Sequence, residues 1–370
     1  MFVFVCSGCG SELTAPLSQV PLPIHARQKY GNGAQLPVLM ESGTFAVDPD
    51  PWGGPWRMWD EIDPGEAEAR GIYAPVHSLS DGTPGASVIA PGDIHGTRLI
   101  PEMRGIACCG LDGADGPNMA CGTCDLPVAA RIDDCSLWQA VRLSPDAVRR
   151  VPVDGVRAAP LLSWAELAEK GEKVPPFEPI TTWAGRLAGS NHSWSWSPRW
   201  EAAAGHALAH LLVASQGQPV EVPGGLTADV FQRTLDALLP TGLPKRRAVL
   251  AGPGRPYPDA GADILLVPVH PRTGETWSLA GPSASAYRVP LPLGVWLWLD
   301  SPRPYLPVPA TGRIPRDVLR DDPLPLLPLH LFRADRRTFQ HTLVRLPAAR
   351  SPWLRTILEN LAQGAMTDLF

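Results

Sequence analysis

Apolar residues recur at helical spacing in a few stretches of this 370-residue chain, most of them in its second half. Ser197 followed by Pro198 is a helix start, because serine can accept from first-turn N–H groups and proline suits a position whose N–H has no partner. Trp200, Ala204, Leu208, Leu211 and Leu212 then form one apolar stripe, and Gly217 can end the helix about five turns later. The same period predicts a helix over roughly Thr227 to Leu239, with Val230, Phe231, Leu235 and Leu238 inward. Another is expected over about Pro352 to Gln363, with Trp353, Ile357, Leu358 and Leu361 inward. Apolar runs at Ala248 to Ala251, Ile264 to Val269 and Val295 to Leu299 predict strands. Ten prolines between Pro290 and Pro328 exclude continuous central strands there and predict edge structure and surface loop.

Residues 1 to about 150 read differently. Glycine and proline are frequent, helical patterns are few, and short strands joined by long loops are expected. Met1 to Val5 reads as a strand delivering Cys6, and the acidic stretch Asp60 to Glu68 reads as a short solvated helix after the tryptophan-rich turn Trp52 to Trp59. A short helix, Ser163 to Lys170, and the proline-rich segment from Val174 to Pro179 fall in a connector. The expected organisation is a β-rich region over 1–150 that holds every cysteine, a connector over 151–190 and a mixed α/β domain over 191–370, in the α+β or α/β class. No internal repeat at solenoid periods is present.

Composition narrows the function classes. A formal charge of -5 and a pI near 6.0 leave no global attraction to nucleic acid or to an anionic membrane. The strongest apolar run, Val289 to Leu299, is eleven residues with Pro290 and Pro292 inside it, too short for a membrane span. The N-terminal apolar stretch lacks the basic start of a secretory signal. Seven cysteines, an odd number set mostly in pairs, fit metal ligation in a reducing cytoplasm better than a secreted disulfide framework.

The pairs carry the strongest chemistry. Cys6-Ser7-Gly8-Cys9 and Cys121-Gly122-Thr123-Cys124 are two Cys-x-x-Cys turns, each followed four positions on by an apolar residue, Leu13 and Val128. Such a turn lets two thiolates reach one ion, and two turns complete a tetrahedral shell. Over about eight residues each, the pair resembles the knuckles of zinc-ribbon proteins. The resemblance implies a structural zinc held by Cys6, Cys9, Cys121 and Cys124, with a small sheet around it. The departure is an insertion of 111 residues between the knuckles, where a ribbon has about a dozen to twenty. A local alternative uses Cys109 (or Cys108), Cys121, Cys124 and Cys135. A second metal drawn from Cys108, Cys109, Cys135 and His95 would use the remaining thiols, and an iron centre is the minority alternative to zinc. Cys135 or one of the Cys108-Cys109 pair also suits simple burial, and a redox role is disfavoured because Gly10 and Pro16 make poor helix after Cys9.

Outside the cysteines, His206 and His210 lie four apart on the predicted helix, on the side opposite Leu208, where they are either solvated or face a cleft. With His192 they could be drawn as a three-histidine site, but the metalloprotease glutamate after the first histidine is missing. The loop Gly252-Pro253-Gly254-Arg255-Pro256 reads as a structural turn, since two prolines remove donors that a phosphate needs. Arg131, Asp133 and Asp134 read as a turn with a local ion pair or as a polar site beside the metal. Trp194, Trp196 and Trp200, with Asn191 and His192, read as core packing or as a stacking platform.

Three function classes follow. The leading expectation is a cytoplasmic accessory protein with structural zinc and a protein partner, a small-molecule ligand being allowed. The second is an enzyme with its active site in the C-terminal half. The third, ranked last by the acidic charge, is a nucleic-acid-binding zinc-ribbon protein, which would need Lys245, Arg246, Arg247 and other arginines gathered on one face.

Overall fold

The computed structural model describes residues 1–29, 36–103, 105, 110–155, 160–179, 194–256, 258–259, 261–278, 286–302, 331–364 and 366–370. The fold is mixed α+β. Eleven short strands build the N-terminal part: β1 (Phe2–Cys6), β2 (Ser18–Gln19), β3 (Thr44–Asp48), β4 (Trp56–Met58), β5 (Ser78–Ser80), β6 (Ala86–Ile89), β7 (Thr97–Leu99), β8 (Met119–Cys121), β9 (Pro127–Ile132), β10 (Ala140–Leu143) and β11 (Val148–Pro152). Seven of them form one sheet in the order β2-β3-β6-β10-β9-β8-β7, antiparallel apart from the β2–β3 pair. β1 pairs instead with β11, from Phe2 opposite Pro152 to Cys6 opposite Val148. Phe4 meets Phe45 edge to face at 5.1 Å, and this contact carries β1 onto the sheet. The core there joins Phe4, Leu13, Leu17, Phe45, Ile89, Val128, Val141 and Leu143, all at most 2% exposed.

Two short helices interrupt this part: α1 (Pro64–Ala69) realises the acidic helix expected near 60–68, and α2 (Trp164–Lys170) starts at Ser163, whose hydroxyl and Glu166 form a capping box. A short strand pair, β12 (Phe177–Pro179) and β13 (Trp194–Trp196), leads into the C-terminal part.

There, β14 (Val220–Glu221), β15 (Arg246–Leu250), β16 (Ile264–Val269) and β17 (Tyr287–Pro292) form a four-stranded parallel sheet in sequence order. β17 contains Pro290 and Pro292 and is an edge strand, the position proline tolerates. β16 is buried on both faces: Ile264 and Leu266 meet the main core, Leu265 and Val267 a smaller one with Trp277. Helices α3 (Pro198–Ser215), α4 (Leu226–Leu238), α5 (Leu293–Asp300), α6 (Arg336–Leu343) and α7 (Pro352–Ala362) pack around the sheet. Buried residues occupy 14 of the 18 positions of α3, which makes it the central helix. Its alanines let neighbours come close, and at Gly205 a Cβ would strike the Asp335 carbonyl at the start of α6.

One element departs from the sequence expectation. Val295 to Leu299, read as a strand, lies inside helix α5. The run Leu293-Gly-Val-Trp-Leu-Trp-Leu-Asp300 is apolar nearly all round, so it has no period to separate strand from helix, and Pro292 sits where a helix starts.

The parts meet at α6 and at a 3-10 turn, Ile24–Arg27. Gln28, 2% exposed, donates from Nε2 to the Pro198 carbonyl (3.0 Å) and accepts from Trp138 Nε1 (3.1 Å), so one amide ties the N-terminal sheet to the start of α3. Residues from Ile62 to Leu79 share the core of the C-terminal helices. Among the described residues no helix is long and apolar enough to cross a membrane.

Candidate metal centre

The two knuckles are built alike from the backbone outward. In each, the first cysteine ends a strand, β1 or β8, and its N–H donates to the carbonyl five residues on: Cys6 to Ser11 and Cys121 to Leu126, both 2.8 Å. The N–H four residues on returns to its carbonyl, Gly10 to Cys6 at 2.9 Å and Asp125 to Cys121 at 3.0 Å. Closing that turn puts Gly10 at φ 77° and Asp125 at φ 63°, in the left-handed region that glycine and aspartate tolerate. The N–H groups of Ser11 and Leu126 face the sulfurs of Cys9 and Cys124. β1 and the segment after it hold one knuckle, β7 and β8 the other. Gly122 N–H donates to Gly96, and His95 N–H donates to Leu13, so the two are fixed against each other at 2.8 Å through the β7 approach.

All four sulfurs lie within 4.8 Å of one another. Cys6 and Cys124 are 3.5 Å apart and Cys9 and Cys121 3.6 Å. A tetrahedral ion with sulfur bonds of about 2.3 Å needs edges of about 3.8 Å, so the four thiols fit a metal ion with little movement. Cys6 and Cys121 are wholly buried, whereas Cys9 and Cys124 form the solvent rim. The Ser11 hydroxyl, 3.2 Å from the sulfur, and the Ser11 N–H pull the Cys9 thiol down to about 6. The Leu126 N–H acts to lower Cys124 as well, but the thiols of Cys6 and Cys9 outweigh it and push it up to about 12.

The other cysteines and histidines fall elsewhere. Cys121 and Cys124 face Cys6 and Cys9, so the fold builds the long-range set. Cys135 is 2% exposed beside Ser136, His95 is exposed, and Cys108 and Cys109 lie outside the described residues. Among the described residues, the four knuckle cysteines are the one group placed to hold a metal.

His206 and His210 do share one face of α3, their rings meeting edge to face with 4.8 Å between centroids, but α6 and β17 pack against them. Their partners are hydroxyls: Thr342 at 3.1 Å from His206 Nδ1 and Tyr287 at 3.3 Å from His210 Nδ1. His192 and Asn191 lie outside the described residues. Burial lowers His206 to about 3, helped by His210, and His210 to about 4. Both ordinarily titrate near 6.5, so the unfolded chain takes up their protons first. Their contribution to stability is full above pH 6.5 and is lost as pH falls toward 4 and 3. The urea midpoint should therefore drop between pH 7.5 and 5, and a His206→Gln/His210→Gln variant should drop less; parallel pH profiles would refute this.

The remaining candidates are structural. Trp200 and Trp196 are 1% and 7% exposed, and Trp200 Nε1 donates to the Val174 carbonyl. Arg131 pairs locally with Asp133 at 3.2 Å. Arg246 is spent on Ala214, Gln216 and Gln218, and Arg247 on Asp259. The Gly252 to Pro256 loop is a tight turn against α5: Trp296 donates from Nε1 to Leu266, and its ring fills the space where a Gly252 Cβ would sit. Gly252→Ala should cost about 1–3 kcal/mol through overpacking, seen as a lower denaturant midpoint.

One constellation was not foreseen. Asp48 is fully buried between Arg27 and Arg142, and Arg142, 3% exposed, lies with its guanidinium carbon 4.1 Å from the centre of the Trp52 ring. Two residues on, Asp50 accepts from His341 Nε2 and Arg345, both at 2.8 Å, with Arg27 at 3.3 Å. Burial opposes the Asp50 charge, but His341 and the arginines outweigh it and hold its carboxyl well below the usual range. Burial in turn keeps His341 below its ordinary value despite Asp50. No local signal joins Asp48-Pro-Asp50 to His341-Thr-Leu-Val-Arg345, nearly three hundred residues later in the chain.

No protein-family model, curated protein or solved structure matches the chain.

Proposed function

We propose that Cys6, Cys9, Cys121 and Cys124 hold one structural zinc and that the chain is a zinc-stapled accessory protein, acting by binding a partner rather than by chemistry at the metal. The observation that carries this reading is the closed donor set. Four thiolates at tetrahedral spacing fill the coordination shell and leave no position for water or substrate. Zinc suits an all-sulfur tetrahedron and has no redox chemistry of its own. The histidines that an enzyme could have used are tied to Thr342 and Tyr287 inside the fold, which favours the accessory class over catalysis around them. Arg246 and Arg247 are likewise tied down, which lowers the nucleic-acid class further.

Elemental analysis tests the metal and cobalt exchange tests the closed shell. One zinc per chain is expected, and the cobalt form should show a tetrahedral thiolate spectrum that added azide or imidazole leaves unchanged. A spectrum that shifts on adding either would reveal an open position and overturn the structural assignment.

A further inference from the structure

We propose that the cleft where α6 meets the N-terminal part binds a nucleoside monophosphate. This inference stands on the cleft and is independent of the metal. Two adjoining chambers, about 420 and 250 Å³, share Arg27, Pro51, Trp56, Gln340 and His341 as common walls. The larger lies in the range of small-ligand sites and has room for one nucleotide.

Charge selects the sign of the ligand. The larger chamber is lined by Arg27, Lys29 and Arg337 against one carboxylate, Asp112. Arg27 is locked and neutralised by Asp48 and Asp50, so its position is set before any ligand arrives and the positive charge open to a ligand comes from Lys29 and Arg337. Lys29 and Arg337 are exposed and make no ion pair among the described residues. Two unpaired cations beside a fixed one suit a dianionic phosphate, which can take several charge-assisted hydrogen bonds at once.

Aromatic surface selects the other end. Trp56 leaves 60% of its surface in solvent on the wall shared by both chambers, although most large apolar side chains of this fold are buried. An indole face beside cations is a platform for a base, which stacks on any flat ring and is worth about 1–3 kcal/mol per base. The Gln340 side-chain amide, half-buried in the same wall, has no hydrogen-bond partner among the described residues and carries both a donor and an acceptor for a base edge. Phosphate-binding cations, a stacking surface and an amide within one bounded cavity are the recognition elements of a mononucleotide.

Isothermal titration calorimetry of the full chain as purified tests this with AMP, GMP, CMP and UMP, alongside adenosine, inorganic phosphate and a ten-residue oligothymidylate. At least one monophosphate should bind saturably with a Kd between about 1 μM and 1 mM, tighter than either adenosine or phosphate. Trp56→Ala should weaken it roughly tenfold, and Arg337→Glu by at least as much, with melting temperature and zinc content unchanged in both. The proposal is overturned by no saturable binding of any of the four, by adenosine binding as well as AMP, by indifference to both substitutions, or by the oligonucleotide binding more tightly than every mononucleotide. The metal analysis is read separately, so failure of the zinc assignment and failure of the cleft cannot be confused.

Discussion

Cys121→Ser should abolish the metal binding proposed for the knuckles and unfold the N-terminal part. Cys121 ends β8 with no exposed surface, packed in the same core as Phe4, Val128 and Leu143. A serine hydroxyl stays neutral and cannot replace a thiolate donor, so the remaining three sulfurs would face an incomplete shell. Structural zinc sites contribute about 10–16 kcal/mol of apparent binding energy near neutral pH, comparable to or above the whole stability of a domain, about 5–15 kcal/mol. The effect should therefore be loss of the cooperative transition and not a modest shift. Zinc content and hydrogen exchange across Phe2–Cys6 and Val148–Pro152 are the readouts, and a chelator should do the same to the unaltered chain. Cys135→Ser, buried but outside the set, should leave the metal content as in the unaltered chain. A Cys121→Ser protein that holds one zinc with an unchanged melting temperature would show that the staple does not exist.

Asp48→Ala should be the most damaging change away from the metal, at about 3–5 kcal/mol. Asp48 has no exposed surface, and Arg142 above it is 3% exposed, with its Nε already lacking a partner among the described residues. Burial works to pull the Arg142 guanidinium below its ordinary value, and the carboxylate of Asp48 is the main force opposing that. Removing the carboxylate strands a buried cation over Trp52. It also frees the Asp50 N–H, which donates to Asp48 at 3.0 Å, and so loosens the hold of Asp50 on His341 and Arg345. Denaturant midpoints measure the loss. The double variant Asp48→Ala/Arg142→Met should recover part of it, because removing both charges leaves nothing to compensate. A loss below about 1 kcal/mol would mean that water reaches Arg142.

What could be read from the sequence follows the range over which each signal acts. Helix α3 was legible because Pro198, its apolar stripe and Gly217 lie within one element, although Ser197 at its start makes no capping hydrogen bond with its side chain. β16 was legible because five of its six residues are buried, which writes a continuous apolar run. The knuckles were legible as two halves, since spacing within Cys-x-x-Cys is local chemistry. Their meeting was an inference from ligand count, and the long insertion between them holds four strands of the sheet, β2, β3, β6 and β7, and the separate β4–β5 pair. α5 was missed because an all-apolar octet carries no period. The sheet order β2-β3-β6-β10-β9-β8-β7 and the Asp50–His341 contact depend on distant pairings that leave no mark on neighbouring residues. His206 and His210 were placed on the correct face of α3, but that α6 covers the face is tertiary information.

The pairing of β1 with β11 sets a timetable for synthesis. Phe2 cannot find Pro152, nor Cys6 meet Cys121 and Cys124, until the ribosome has released a stretch of about 150 residues, which at roughly 5–20 residues per second takes on the order of ten to thirty seconds. Throughout that interval Cys6 and Cys9 are two ligands without a second pair, free to take a metal weakly, to oxidise or to be held by another protein. The nascent chain thus passes through a window in which Cys6 and Cys9 meet metal and oxidant as a lone pair, before the β1–β11 pair and the four-cysteine cluster can close.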